Sequence, residues 1–188
     1  MANNTRQSMI DAAQRLIASH GSHGTSFGDV IAASGAPRGS LYHHFPGGKE
    51  ELVETALAAS GDHAFRALEA LRGSSATEVV AGFLDLWRRL LVHTDFTVGC
   101  AVAGVTVDAE SSELVGRSGQ IFRDWTGILA ELLTEAGVPS LRAGSLATLL
   151  VAGSEGAVIV ARAQRDMAPF EQVATELQAL IGASVTAG

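Results

Sequence analysis

The sequence predicts an all-α protein of about nine helices: a small three-helix head followed by a larger helical domain. Three observations support this. Apolar residues recur at three- and four-residue spacing in one segment after another. Alanine, leucine, valine and glycine dominate while aromatics are few, a mixture suited to helices packed through small side chains. No stretch alternates persuasively, since TVGCAVAGVTVDAE (97–110) is short and broken by glycine.

The elements follow in order. Residues 5–20 place Met9, Ile10, Ala13, Leu16 and Ile17 at helical spacing, ended by Gly21 and Gly24. Thr25 or Ser26 caps a second helix over 26–34, with Phe27, Val30 and Ile31 inward. Ser34-Gly35-Ala36-Pro37 is a break, in which glycine supplies a left-handed corner and proline presets the next turn. A third helix over 38–44 turns Leu41 and Phe45 inward. Two short helices joined by a tight glycine-bearing turn form a helix-turn-helix. From about 48 a longer helix runs past Leu52, Val53, Ala56 and Leu57 towards Leu68 and Leu71. Amphipathic stretches follow at Val79–Leu91, at Leu114–Leu132, and over 140–166 and 170–183. The expected division is 1–48 for the head and 49–188 for the larger domain, joined by one continuous fourth helix.

Charge is divided the same way. The chain carries −7 overall, yet residues 1–49 balance to +2 and residues 50–188 to −9. A split of that kind points to two domains with different partners. The acidic remainder does not forbid a polyanion at the head, because physiological salt screens beyond about 8 Å. One cysteine, Cys100, excludes an intrachain disulfide framework and fits a reducing, cytoplasmic setting. MANNTRQSMI does not read as a signal peptide. The apolar run LATLLVAGSEGAVIVARA (146–163) approaches membrane-spanning length, but Glu155 sits at its centre. There a charge costs about 2.5–3.5 kcal/mol. Gly153 and Gly156, with Ala152 and Ala157, fit a buried or dimer-forming helix instead, and no membrane partner is expected.

RGSLYHHFPGGKEEL (38–52) has too few apolar residues for a core helix and too many hydrogen-bonding side chains for an idle one. A major groove about 12 Å wide admits a short helix of this kind. Arg38 has the fork that matches guanine O6 and N7, and Gly39 removes a side chain where the backbones approach. Ser40, Tyr42 and His44 are donors for phosphate oxygens, and His43 is placed for a base edge or a phosphate. Thr25 and Ser26 present hydroxyls and helix N–H groups to another phosphate, with Lys49 as a third anchor. Blander readings exist for single residues: a half-buried Tyr42, solvated loop histidines at His20 and His23. Adjacent His43 and His44 point in different directions, so no metal is expected.

Residues 25–57, TSFGDVIAASGAPRGSLYHHFPGGKEELVETAL, resemble the DNA-binding signature of the TetR family of transcriptional regulators. The turn, the Leu-Tyr-x-His-Phe run and the following Lys-Glu-x-Leu occur in order. Residues 99–110 resemble the LmrA/YxaF-like subgroup. The resemblance implies a homodimer bound to a palindromic operator in double-stranded DNA, most often as a repressor. By position, Thr25, Ser26, Arg38, Gly39, Ser40, Tyr42, His43, His44 and Lys49 become the expected DNA contacts. Gly47-Gly48 departs from the family pattern, lengthening the gap before Lys49 and leaving the fourth helix without a side-chain cap. The resemblance also implies dimerisation through the helices at 140–166 and 170–183. Leu146, Leu149, Leu150, Val158, Phe170, Val173, Leu177, Leu180 and Ile181 line these helices. It implies a pocket for a small-molecule effector, with no cofactor. Phe65, Leu68, Phe83, Trp87, Phe96, Cys100, Phe122 and Trp125 are its candidate lining. Their character favours a neutral or weakly polar, apolar ligand. Induction would work by a population shift carried through a loop around 96–110.

An enzyme is the competing class. Asp108, Glu110, Ser111, Ser112, His63 and His93 supply the residue types, but none falls in a nucleophile elbow or a metal-ligand spacing. Ser111 and Ser112 read better as helix caps and His93 as a helix-terminal residue. An effector-independent DNA-binding dimer is the third reading.

Overall fold

The computed structural model describes residues 2–185. Nine α-helices and one 3-10 turn make up this span, and no strand occurs among the described residues. They are α1 (Ala2–His20), α2 (Phe27–Ser34), the 3-10 turn Arg38–Ser40, α3 (Leu41–His44), α4 (Gly48–Glu69), α5 (Ala76–His93), α6 (Ala101–Asp108), α7 (Ser112–Glu135), α8 (Ser140–Gln164) and α9 (Ala168–Val185). Two compact units result. One takes the chain up to Asp62 together with Cys100–Ile121; the other takes His63–Gly99 and the chain from Phe122 onward.

The first unit is built around α1. Met9, Ala13 and Ile17 are fully buried or nearly so, as are Val30 of α2, Leu41 of α3, Phe45 just after it, and Leu52, Val53 and Leu57 of α4. The Arg6 guanidinium lies 5.1 Å from the centre of the Phe45 ring, and Gln14 donates to Ser60 Oγ at 3.0 Å, joining α1 to α4. Helix α6 packs on α1 with Val102 and Val105 at 0 % exposure. Gly104 makes that approach possible, because a Cβ there would sit 3.2 Å from the Ile17 carbonyl oxygen.

Three local expectations change. Residues 38–44 were expected as one helix, yet only Leu41–His44 is α-helical and Arg38–Ser40 winds as 3-10. Pro37 offers no side-chain cap, Gly39 weakens a helix, and the Ser40 hydroxyl bonds back to the Pro37 carbonyl at 2.7 Å. The expected loop around 96–110 contains α6, started by Cys100, whose sulfur accepts from Ala103 N–H at 3.4 Å, and stabilised by the burial of Val102 and Val105. The start of α4 does find a side chain: Glu51 reaches back to Gly47 N–H at 2.7 Å.

The second unit packs α5, α8 and α9 with the remaining turns of α4 and α7. Ser75 and Glu78 cap α5 reciprocally, each side chain accepting from the other's backbone N–H. Phe83, Leu84 and Leu91 of α5 meet Phe170, Leu177 and Ile181 of α9 and Leu150 and Val158 of α8 in a continuous interior. Leu146, Leu150, Val158, Phe170, Leu177 and Ile181, expected along the dimer helices, are therefore buried inside the chain itself, 5 % exposed at most. Helix α8 is long and apolar enough to cross a membrane, with mean hydropathy 1.6, and 44 % of that stretch is buried within the structure. Arg72 binds Glu69, Glu131 and Glu135. Arg88 holds Glu171 through two bonds, at 2.6 and 2.8 Å.

The hydrogen bonds from Arg88 hold the Glu171 carboxyl below the ordinary glutamate value of 4.5. Since the folded value is the lower one, the pair's contribution is full above the ordinary value and is lost as pH falls through the depressed one. Both side chains are a third or more exposed, so solvent screening limits the contribution to roughly 1 kcal/mol. Glu171→Gln is expected to lower the melting temperature at about pH 7 and to converge with the parent protein as acidification carries the solution through the depressed Glu171 value. Thermal melts across that range check it.

Candidate nucleic-acid interface

The sequence of the head presents its polar side chains outward for a simple reason. Val30, Leu41 and Phe45 face inward at 1 % exposure or less, so the intervening residues of α2, the 3-10 turn and α3 must face water. Ser26 caps α2: its oxygen accepts from Asp29 N–H at 3.2 Å, and the Asp29 carboxylate accepts from the Ser26 backbone N–H at 2.9 Å. The Ser26 hydroxyl, then its backbone N–H, hold the Asp29 carboxyl below the usual carboxylate value. At the other end Gly35 adopts φ +68° and returns its N–H to Ile31 O at 3.0 Å. That left-handed residue makes the corner from which α3 departs at an angle, and any side chain there would be strained.

Most candidate contacts lie on this outer face. Arg38, Gly39, Tyr42, His43, Ser26 and Lys49 are exposed, while Ser40 and His44 are half-buried. Arg38 has no carboxylate partner among the described residues. Nothing lies within 4 Å of a Cβ built on Gly39, so that position is open to an approaching surface. Tyr42 is 68 % exposed with its ring edge-on to Phe27 at 5.6 Å. The His43 and His44 rings stand 5.2 Å apart. Lys49 Nζ donates to the His23 carbonyl at 3.4 Å, which ties it to the α1–α2 turn. Thr25 is different: it is 3 % exposed and its hydroxyl donates to Gly21 O at 2.8 Å. Its hydroxyl serves the turn from within. The sequence pattern missed Ser22 and Asp108, which bond one another at 2.7 Å behind that turn; their separation of 86 residues left no local signal.

The effector candidates divide between the units. Phe65, Leu68, Phe83, Trp87, Phe96, Phe122 and Trp125 belong to the second, whereas Cys100 belongs to the first. Leu68, Phe83, Trp87 and Trp125 are buried, and Phe65, Phe96 and Phe122 half-buried. Phe122 and Trp125 pack edge-to-face at 5.6 Å. The Trp87 indole N–H is enclosed and has no acceptor among the described residues.

An outward polar helix-turn-helix on a helical body defines a DNA-binding transcriptional regulator, and the comparisons with known proteins agree. Residues 9–56 match the model of the tetR family of bacterial regulatory proteins. Residues 76–176 match the C-terminal domain of LmrA/YxaF-like transcriptional regulators. A helix-turn-helix regulator of Mycobacterium tuberculosis is 34 % identical over 94 % of this chain and 93 % of its own. The regulator LmrA of Bacillus subtilis is 27 % identical over 91 % of this chain and 93 % of its own. Among solved structures, the TetR protein of Rhodobacter sphaeroides superposes with a TM-score of 0.82 at 22 % identity, covering 92 % of this chain and 96 % of that one. The chain belongs to the TetR family, with an LmrA/YxaF-like C-terminal domain. It is a DNA-binding regulator and not an enzyme. Regulators of this family bind operator DNA and act as dimers.

Arg38 is exposed and has no carboxylate partner among the described residues, so Arg38→Ala is expected to leave the melting temperature unchanged while weakening specific duplex binding by about 1–3 kcal/mol. Fluorescence anisotropy on a preferred and a scrambled duplex checks both halves.

Proposed function

We propose that this protein is a cytoplasmic repressor that holds a palindromic operator as a homodimer and releases it when a small, mainly apolar effector enters the second unit. The observation that carries the DNA half is the outward set Arg38, Gly39, Tyr42, His43 and Lys49, raised on the buried Leu41 and Phe45. Ser26 adds the N-terminus of α2 as a phosphate site, and Ser40 and His44 flank the reading face. Residues 1–48, with Lys49 at the boundary, read DNA; residues 49–188 bind the effector and make the dimer. A relative in Corynebacterium glutamicum, named the transcriptional repressor AcnR, is 35 % identical over 82 residues and supports the repressor reading.

The dimer reading rests on the face of α8 that the chain leaves uncovered. Leu149, Ala152, Gly156, Ile159 and Val160 are exposed, and Leu180 of α9 is 39 % exposed. Gly156 has nothing within 4 Å of a built Cβ, leaving room for a second helix to come close. In such a dimer the recognition elements stand about 34–36 Å apart, one turn of DNA. The effector binds more tightly to a conformation with another spacing. A tenfold release requires a coupling of about 1.4 kcal/mol.

In this reading the enclosed Trp87 N–H narrows the guest. A buried donor left unbonded costs about 1–3 kcal/mol, and a guest bearing a carbonyl, ether or phenolic oxygen removes that cost. Selection of bound duplexes from a random pool is expected to return a palindrome with half-sites one turn apart, and Ile159→Glu to give a monomer that no longer prefers it. A non-palindromic winner would contradict the dimer. Trp87→Phe keeps the ring and deletes the N–H; it is expected to bind 1-acetonaphthone about tenfold more weakly and 1-ethylnaphthalene equally well, without loss of thermal stability. Calorimetric titration of both probes checks this, and equal loss for both would contradict the donor role.

A further inference from the structure

Asp108 closes α6, where a carboxylate faces the negative end of the helix dipole and lowers helix stability. Its surroundings account for its presence there. Oδ1 accepts from Ser22 Oγ at 2.7 Å, and Oδ2 accepts from His23 N–H at 2.9 Å. Both donors sit in the turn between α1 and α2, and Ser22 is only 5 % exposed. Gly21 has φ +77°, and a Cβ there would run into the same carboxylate. His23, held by Asp108 through its N–H, accepts from Lys49 Nζ through its carbonyl at 3.4 Å.

The residues after Asp108 reach the far side of the reading element. Ser111 Oγ donates to Glu50 Oε1 at 2.6 Å, and Arg117 pairs with Glu54 at 2.9 Å. The helix-turn-helix between Thr25 and Lys49 is therefore fastened at its entry and at its exit to one segment, 108–117. Charge-assisted bonds to a half-buried carboxylate are the strong kind, and they grip a backbone N–H as well as a side chain, which restricts rotation of the turn.

We infer that Asp108 is a positioning residue for DNA reading: by bonding Ser22 and His23 it sets the angle at which the α2–α3 pair is presented to the duplex. The inference rests on the head's reading of DNA described above and adds a residue that touches no DNA. A positioning residue acts on specificity, because base contacts need orientation while phosphate contacts tolerate its loss. The test uses the full chain and the duplex recovered from the random pool. Asp108→Asn keeps the shape but replaces one acceptor by a donor. It is expected to bind the selected duplex about tenfold more weakly, with less than a twofold change for a scrambled duplex at low salt. Ser22→Ala is expected to add little to Asp108→Asn, since both break one contact. Selected-duplex affinity within twofold of the parent, equal losses on both duplexes, or fully additive losses would overturn the inference. If Asp108→Asn loses helicity, Ser22→Ala alone carries the test with the same two duplexes. A parent protein without any duplex preference would overturn the reading of DNA itself, and this inference with it; a preference left undiminished by Asp108→Asn overturns only the latter.

Discussion

The common burial of Leu41 and Phe45 with Val30, Met9 and Ile17 is the constraint on which the head depends. A 3-10 turn of three residues followed by a single α-helical turn cannot persist alone in water, because helix nucleation is unfavourable over so short a span. Each side chain removed from water contributes about 1.5–3 kcal/mol, and together they hold the element in one orientation. Tyr42 and His43 then have no freedom to turn inward. Their exposure follows from the apolar seam beneath them, so this outward polar face is a by-product of packing and the packing sets its direction.

Electrostatics plays a smaller and more local part. The head has few cations: Arg6 lies over Phe45 and Lys49 lies near the His23 carbonyl, which leaves Arg38 as the most plainly outward guanidinium of the reading element. Backbone N–H groups at the capped start of α2 supply additional positive potential without a formal charge. The acidic side chains of the second unit are largely engaged internally, Glu69 and Glu135 with Arg72 and Glu171 with Arg88. The overall charge of −7 therefore describes the chain and not the outward face of the helix-turn-helix.

Periodicity and turn chemistry made the helices and the head readable, because Ser26, Gly35 and Pro37 each do locally what their residue type does best. The parts that stayed hidden have identifiable causes. Helix α6 was obscured by valines and glycine that resemble a broken strand, and only the Cys100 sulfur marks its start. Thr25 and Ser26 are equivalent as types, and burial alone separates them. Helix α8 is apolar on nearly all sides, so its pattern did not distinguish Leu150, which is covered by its own chain, from Leu149, which is not. Such assignments depend on what packs where, and no spacing rule contains that.

The first compact unit is discontinuous: Cys100–Ile121 completes it after the 37 residues His63–Gly99 have gone elsewhere. During synthesis the N-terminal segment therefore leaves the ribosome long before the helix that covers its α1 flank exists. Closing that interval carries a loop-closure cost and delays maturation of the head until residue 121 is available. Prematurely terminated chains thus carry a reading motif without its support, and the gene product gains its mature DNA-binding end only when more than half of it has been made.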